Sequence, residues 1–157
     1  LARAVEHRSQ GAWPPVTVHL RAHHLLCMLT YSGKGYSKAF VHNFDRLVQR
    51  IGAGEAIELL AGPDDVCAPI AGNAEEHCHC ASVIERDRLA GSDLAPLVGV
   101  ALAPGASLVL TAPLLARLRA AFATGRIRRA CEGCPWHAMC TEVAKNGDDG
   151  TALLQCP

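Results

Sequence analysis

The sequence predicts a single α+β domain that is mostly helical, with a few short strands and loops that carry cysteines. Three observations predict this fold class. Apolar residues recur at helical spacing in several stretches, short β-branched segments are typical of strands, and glycine- and proline-rich turns separate them. With 157 residues, half of them apolar, the chain is long enough to bury a hydrophobic core.

The first elements follow residues 1–15, an N-terminal lead that we expect to be disordered or a vector-derived addition. A single metal-binding domain is then predicted over residues 16–157. Residues 16–20 (Val-Thr-Val-His-Leu) predict a short strand, because β-branched residues alternate with other residues. Residues 23–31 predict a short helix that carries four apolar side chains.

The middle of the chain predicts two helices and a strand. Ser37 is a typical N-cap residue, and the apolar residues after it recur at helical spacing until the glycines at 52 and 54. Residues 57–60 predict a strand. Residues 83–89 predict another helix, whose exposed face carries alternating acidic and basic side chains.

The last third begins with the uncharged residues 94–116, which are long enough to cross a membrane. Repeated prolines and glycines argue against a spanning helix, so we expect a strand–turn–strand segment and no membrane association. Residues 107–110 predict its strand. Thr111 predicts the start of a helix, and Pro135 predicts the start of a final helix that ends at Asn146 and Gly147.

Eight cysteines and eight histidines stand out in a chain with only 4% aromatic residues. The formal net charge is zero, so we expect no nucleic-acid partner. The first residues contain no apolar run before a small-residue cleavage site, which predicts a cytoplasmic protein. Because the cytosol keeps thiols reduced, metal binding explains the cysteines better than disulfides do.

The strongest motif is Cys131-Glu-Gly-Cys134, followed by Cys140. A C-x2-C pair places two thiolates on one tight loop, and Gly133 lets the backbone turn between them. Pro135 predicts a helix start, where backbone N–H groups favour the Cys134 thiolate. On a regular helix Cys140 would lie roughly 9 Å farther on, which suits an iron–sulfur cluster better than one zinc ion. A [4Fe–4S] or [2Fe–2S] cluster is therefore predicted, with zinc as the alternative.

A further ligand must come from elsewhere in the chain. Cys67 is the leading candidate, because it follows a Gly-Pro-Asp-Asp turn and has no apolar periodicity around it. Cys78 is the next. Cys27 shares a helix face with His23 and lies among leucines, so ligation and burial as a structural thiol are equally good interpretations.

Three arginines, Arg126, Arg128 and Arg129, come just before Cys131. Their guanidinium groups would offset the negative charge of thiolates or of bound sulfide if they faced the cysteines. A solvated helix face is an equally good interpretation of the same three residues.

Several segments together resemble a prokaryotic family named domain of unknown function 1284, over about residues 18–145. They are Arg21-Ala-His-His-Leu-Leu-Cys27, Gly33-Lys-Gly-Tyr-Ser37, Gly62-Pro-Asp-Asp-Val-Cys-Ala-Pro69, His77-Cys78, Glu85-Arg-Asp87 and the stretch from Cys131 to Cys140. The family is described as iron–sulfur or ferredoxin-like proteins, so the resemblance implies a cluster without implying a reaction. It also implies that six cysteines are the family's own, which are Cys27, Cys67, Cys78, Cys131, Cys134 and Cys140.

The resemblance also draws attention to polar residues that could hydrogen-bond to the ligands of a shared site. These residues are His23, His24, Lys34, Asp64 and Asp65. Helix capping and turn formation explain the same residue types equally well.

Three functions fit these observations. The first is an iron–sulfur protein that transfers electrons to a redox partner protein or senses redox state or iron. The second is a structural zinc module. The third is a cluster-dependent enzyme in which His23, His24 or Asp65 act as acids or bases, although no complete catalytic constellation is visible.

Overall fold

A computed structural model describes residues 17–70, 80–153 and 156, and it confirms one mostly helical α+β domain. The predicted lead over residues 1–15 and the candidate ligand Cys78 lie outside the described residues. The elements are, in chain order, β1 (Thr17–Leu20), α1 (Ala22–Thr30), α2 (Lys38–Gly52), β2 (Ala56–Leu59), α3 (Ala81–Val98), β3 (Ser107–Leu108), α4 (Ala112–Ala123), a 3₁₀ turn (Arg129–Cys131) and α5 (His137–Lys145).

The three strands form one small sheet with β2 in the centre. β1 pairs with β2 in parallel and β3 pairs with β2 antiparallel, so that Ile57 lies opposite both Val18 and Leu108. All three side chains are buried, which directs one face of the sheet into the core. The parallel pair requires a long connection, which α1 and α2 provide.

Helix α1 is the central element of the fold. Leu25, Leu26, Met28 and Leu29 are all buried, so the helix is apolar around most of its circumference. It packs against α3, α4 and α5. Cys27, which lies on this helix, is therefore held inside the molecule by a rigid element.

Two predicted helix starts are confirmed by their capping hydrogen bonds. Ser37 Oγ accepts a hydrogen bond from the Phe40 N–H at 3.1 Å, and Thr111 Oγ1 accepts one from the Leu114 N–H at 3.3 Å. Each bond satisfies a backbone donor that the first helical turn leaves without a partner inside the helix.

Helix α3 is longer than the sequence pattern predicted. The strand–turn–strand prediction is wrong in its first part, because residues 94–98 continue the helix. Leu94 is completely buried, and Pro96 is accommodated in the last turn. The helix ends at Gly99, whose left-handed φ of 85° favours glycine and whose N–H donates to the Ala95 carbonyl.

The final helix begins at His137, two residues later than predicted from Pro135. Cys134 therefore lies in the turn before α5, and the prediction that it stands at the start of a helix is wrong. None of the nine residues of α5 is fully buried. Among the described residues, no helix combines the length and apolar character that crossing a membrane requires.

Candidate metal centre

A cavity of about 320 Å³ lies beside α1 and the C-terminal cysteine segment. Four of the described cysteines line it, each from a different local structure. Cys27 comes from α1, Cys131 from the 3₁₀ turn, Cys134 from the next turn and Cys140 from α5. The fold thus brings the predicted motif together with a thiol that lies about a hundred residues earlier in the chain.

Two consecutive turns arrange the C-terminal cysteines. The Cys134 N–H donates to the Cys131 carbonyl at 3.1 Å, and the His137 N–H donates to the Cys134 carbonyl at 3.1 Å. Gly133 between the first two cysteines has a φ of 71°, the left-handed region that glycine adopts without strain. The sequence predicted this use of Gly133 correctly.

Burial favours the protonated form of Cys27, Cys131 and Cys140 in the metal-free protein. It raises the pKa of Cys27 well above the ordinary value, and the neighbouring Cys131, Cys140 and Cys134 raise it further. Burial also raises the pKa of Cys131 and of Cys140. Four thiolates would repel one another in this low-dielectric space, so only a bound cation or cluster would hold them all as anions.

Arg128 supplies positive charge next to the cysteines. Although burial dominates the pKa of Cys131, the hydrogen bond and charge of Arg128 act to lower it. The guanidinium is fixed by hydrogen bonds to the Thr141 hydroxyl at 2.8 Å and the His137 carbonyl at 3.1 Å, and it lies 4.5 Å from the centre of the Phe122 ring. The charge-offsetting interpretation of the arginines therefore holds for Arg128.

The other two arginines take different positions. Arg126 is exposed, and Arg129 forms an ion pair with Asp93 on α3. Arg86 was not predicted as a site residue, but it lines the cavity and donates to the Glu132 carbonyl at 3.4 Å. Arg86 was missed because it stands between two acidic residues, a pattern that is typical of the solvent-exposed face of a helix.

Thr30 is a buried polar residue on the cavity wall. Its hydroxyl has no hydrogen bond of regular geometry within the described chain, yet it lies close enough to Cys140 to favour the thiolate form. Sequence reasoning missed this residue. Its spacing of three residues from Cys27 places both on one face of α1, which is the signal that could have identified it.

Every Phe, Tyr and Trp that the structure describes lines this cavity. Tyr31 stacks on Phe44 with ring centres 3.9 Å apart, and Tyr36 meets Trp136 edge to face at 5.5 Å. These rings make much of the cavity wall apolar. The low aromatic content gave no indication of this concentration.

Two histidine–carboxylate pairs border the same cavity. His23 Nδ1 lies 2.6 Å from Asp87 Oδ1, and His24 Nδ1 lies 2.6 Å from Asp64 Oδ2. The two rings lie 4.3 Å apart between centres. Burial lowers the pKa of His23 to about 4, so its ring is neutral at neutral pH.

The remaining predicted site residues divide between the cavity and its surroundings. Lys34 lines the cavity. Cys67 does not; it is buried beside His24 and Asp64. The Asp65 carboxylate also lies outside the cavity wall, where it accepts a hydrogen bond from the His19 N–H at 2.8 Å.

Cys80 and Cys156 are not among the six cysteines that the family resemblance implies, and neither lines the cavity. Cys80 is exposed at the start of α3, and Cys156 lines a different groove with Arg119 and Asp148. None of the seven described cysteines forms a disulfide.

Comparison with known proteins identifies one family. The profile of the family described as protein of unknown function (DUF1284) matches residues 35–140, about two thirds of the chain. The matched range contains Cys67, Cys131, Cys134 and Cys140, whereas Cys27 precedes it. No curated protein and no solved structure matches the chain significantly. The chain therefore belongs to the DUF1284 family.

Proposed function

We propose that this protein binds an iron–sulfur cluster through Cys27, Cys131, Cys134 and Cys140 and transfers electrons to a redox partner protein. The observation that carries the proposal is the convergence of these four cysteines on one cavity. Four cysteine thiolates are the usual ligand set of both [2Fe–2S] and [4Fe–4S] clusters.

This ligand set differs from the one favoured by the sequence. Cys67 was the leading candidate for the fourth ligand, but its side chain does not line the cavity. Cys27 does, because α1 carries it to the C-terminal motif. In the sequence, the leucines around Cys27 made a buried structural thiol as good an interpretation as a metal ligand. No local pattern showed that the thiol faces the cavity while the leucines face the core.

The surroundings of the four thiols fit a cluster better than a single ion. A zinc ion bound by four thiolates at about 2.3 Å leaves little space among its ligands. Here the cysteines line a cavity of about 320 Å³ with a mainly aromatic and aliphatic wall. Arg86 and Arg128 on that wall would balance the negative charge of a thiolate-bound cluster.

The cluster would supply one-electron chemistry when bound, and the protein would tune its potential. The Thr30 hydroxyl and the Arg128 guanidinium lie beside ligand sulfurs, where hydrogen bonds and positive charge favour the reduced state. Tyr36 is 59% exposed and contacts Trp136 at the rim of the cavity, which gives a partner protein access close to the centre.

The proposal is tested by preparing the protein without oxygen and measuring iron, acid-labile sulfide and zinc. We expect a brown protein with about two or four irons per chain, matched by equal sulfide, and a paramagnetic signal after reduction. Reversible one-electron reduction in voltammetry would support electron transfer. A folded, colourless protein with one tightly bound zinc and no iron would replace the proposal with a structural zinc site.

Two single substitutions distinguish the ligand set. Cys27→Ser should reduce cluster content severalfold, whereas Cys80→Ser, at an exposed thiol outside the cavity, should leave it unchanged. Circular dichroism checks that both variants fold. A Cys27→Ser protein that is folded and retains full iron and sulfide would contradict the proposed ligand set.

A further inference from the structure

We propose a second metal site, separate from the four cavity cysteines, in which His24, Asp64 and Cys67 bind one divalent ion of the zinc class. A ring nitrogen of His24, a carboxylate oxygen of Asp64 and the sulfur of Cys67 all lie within 4.8 Å of one another. The three residues come from α1 and from the turn after β2, so the fold places them together over about forty residues of sequence.

The Asp64 carboxylate is prepared as an anionic ligand. It is completely buried, and three backbone N–H groups donate to it. Those of Arg21, Val66 and Cys67 lie 2.7, 3.0 and 3.1 Å from its oxygens. Burial opposes ionisation of Asp64, but its contacts with His24 and these donors together lower its pKa. Hydrogen-bonded carboxylates of this kind are typical of ligands whose orientation is fixed by the surrounding protein.

The charges of the ligands determine the charge of the ion. A carboxylate and a thiolate together carry two negative charges, and a neutral imidazole adds none, so a divalent cation leaves this buried site neutral. One sulfur, one nitrogen and one oxygen form a mixed ligand set that suits zinc and disfavours magnesium or calcium. Binding releases the Cys67 thiol proton to solvent and replaces the hydrogen bond between His24 and Asp64 with bonds to the metal.

The ion would have a route to this site and a free coordination position. His24 lines the cavity that holds the four cysteines, with 13% of its side chain exposed, whereas the Asp64 side chain is fully enclosed. Three protein ligands leave a tetrahedral ion with one position for water or a small molecule, the arrangement found in catalytic rather than structural zinc sites. The site uses none of the four cavity cysteines, so it stands independently of the cluster proposal.

The experiment uses the full chain with Cys131→Ser and Cys134→Ser, which removes the C-x2-C pair, and adds zinc to the metal-free, reduced protein. X-ray absorption then counts the sulfur atoms bound to zinc. We expect one sulfur at about 2.3 Å, with the other ligands being nitrogen and oxygen at about 2.0–2.2 Å. Two sulfurs bound to the ion would mean that a second cysteine is a ligand, and this result, or no tight zinc binding, would overturn the proposal.

Cobalt titration of the same double variant tests the individual ligands. One equivalent of Co²⁺ should produce a thiolate-to-metal charge-transfer band. The further substitution Cys67→Ser should abolish this band. The further substitution His24→Ala should lower the affinity of the protein for Co²⁺ at least tenfold. Cys80→Ser is the matched control and should change neither. A charge-transfer band that persists in a folded Cys67→Ser protein would exclude Cys67 as a ligand. Because no iron is used, these results do not depend on whether a cluster forms.

Discussion

His23 Nδ1 lies 2.6 Å from Asp87 Oδ1, and the other oxygen of the same carboxylate receives the buried guanidinium of Arg21 at 2.8 Å. One carboxylate on α3 thus holds Arg21, which precedes α1, and His23, the second residue of α1. Burial of the His23 ring lowers its pKa and outweighs the hydrogen bond and charge of Asp87, which favour a proton on the ring; the charges of His24 and Arg21 also disfavour that proton.

The first prediction concerns the stability of the metal-free protein in acid. Burial lowers the pKa of His23 from 6.5 to about 4, so the unfolded chain binds a proton at this residue more readily. The contribution of the neutral His23 ring to the free energy of unfolding is complete above pH 6.5 and is lost as the pH falls from 6.5 to 4. We expect a loss of about 3 kcal/mol at most, measured by urea unfolding across this range.

Two variants isolate the histidine responsible. In His23→Gln the part of the pH dependence that comes from this ring should disappear. His42→Gln, at an exposed position on α2, should leave the wild-type dependence intact. Identical curves for wild type and His23→Gln between pH 4 and 6.5 would show that His23 titrates normally.

The second prediction concerns the free energy of unfolding of Asp87→Ala. Only 1% of the Arg21 side chain is exposed, so removal of its partner leaves a buried charge without compensation. We expect a loss of about 3–5 kcal/mol at neutral pH, measured by chemical denaturation. Glu85→Ala removes an exposed ion pair with Arg88 on the same helix, so it should change the free energy of unfolding little. Equal losses in both variants would contradict this account.

The third prediction concerns the reduction potential of the bound cluster and depends on the proposed function. Arg128→Gln removes a positive charge beside Cys131, so the reduced cluster is less stabilised and the potential should become more negative. Arg128→Lys keeps the charge and should shift the potential less. Arg126→Gln, at an exposed residue two positions earlier, serves as the control. Equal shifts for Arg128→Gln and Arg128→Lys in a redox titration would show that the charge is not the cause.

The sequence predicted the order and type of most elements because their signals are local. Ser37 and Thr111 cap helices through side chains three residues from the donors they satisfy. The C-terminal part of α3 was missed because Pro96 suggested a break, whereas its burial against the core depends on contacts with distant residues. Helix α5 was predicted to start too early, since proline is also common in the turn that precedes a helix.

The candidate site was predicted only as far as local motifs extend. Cys131, Cys134 and Cys140 lie close in sequence, and their convergence follows from two turns and one helix. The choice between Cys27 and Cys67 depends on which way α1 rotates against α3 and α5, and no local pattern contains that information. The partnership of His24 with Asp64 rather than Asp65 depends likewise on the conformation of one turn.

Helix α5 has only nine residues and none of them is fully buried, although it carries Cys140 and begins three residues after Cys134. Helices this short are marginal in water unless other parts of the protein hold them. A cofactor bound by Cys27 and the C-terminal cysteines would fasten this segment to the centre of the molecule. Loss of the inorganic component would then do more than inactivate the protein, because it would loosen the C-terminal segment and expose it to proteases. The lifetime of the polypeptide in the cell would follow the supply of the metal.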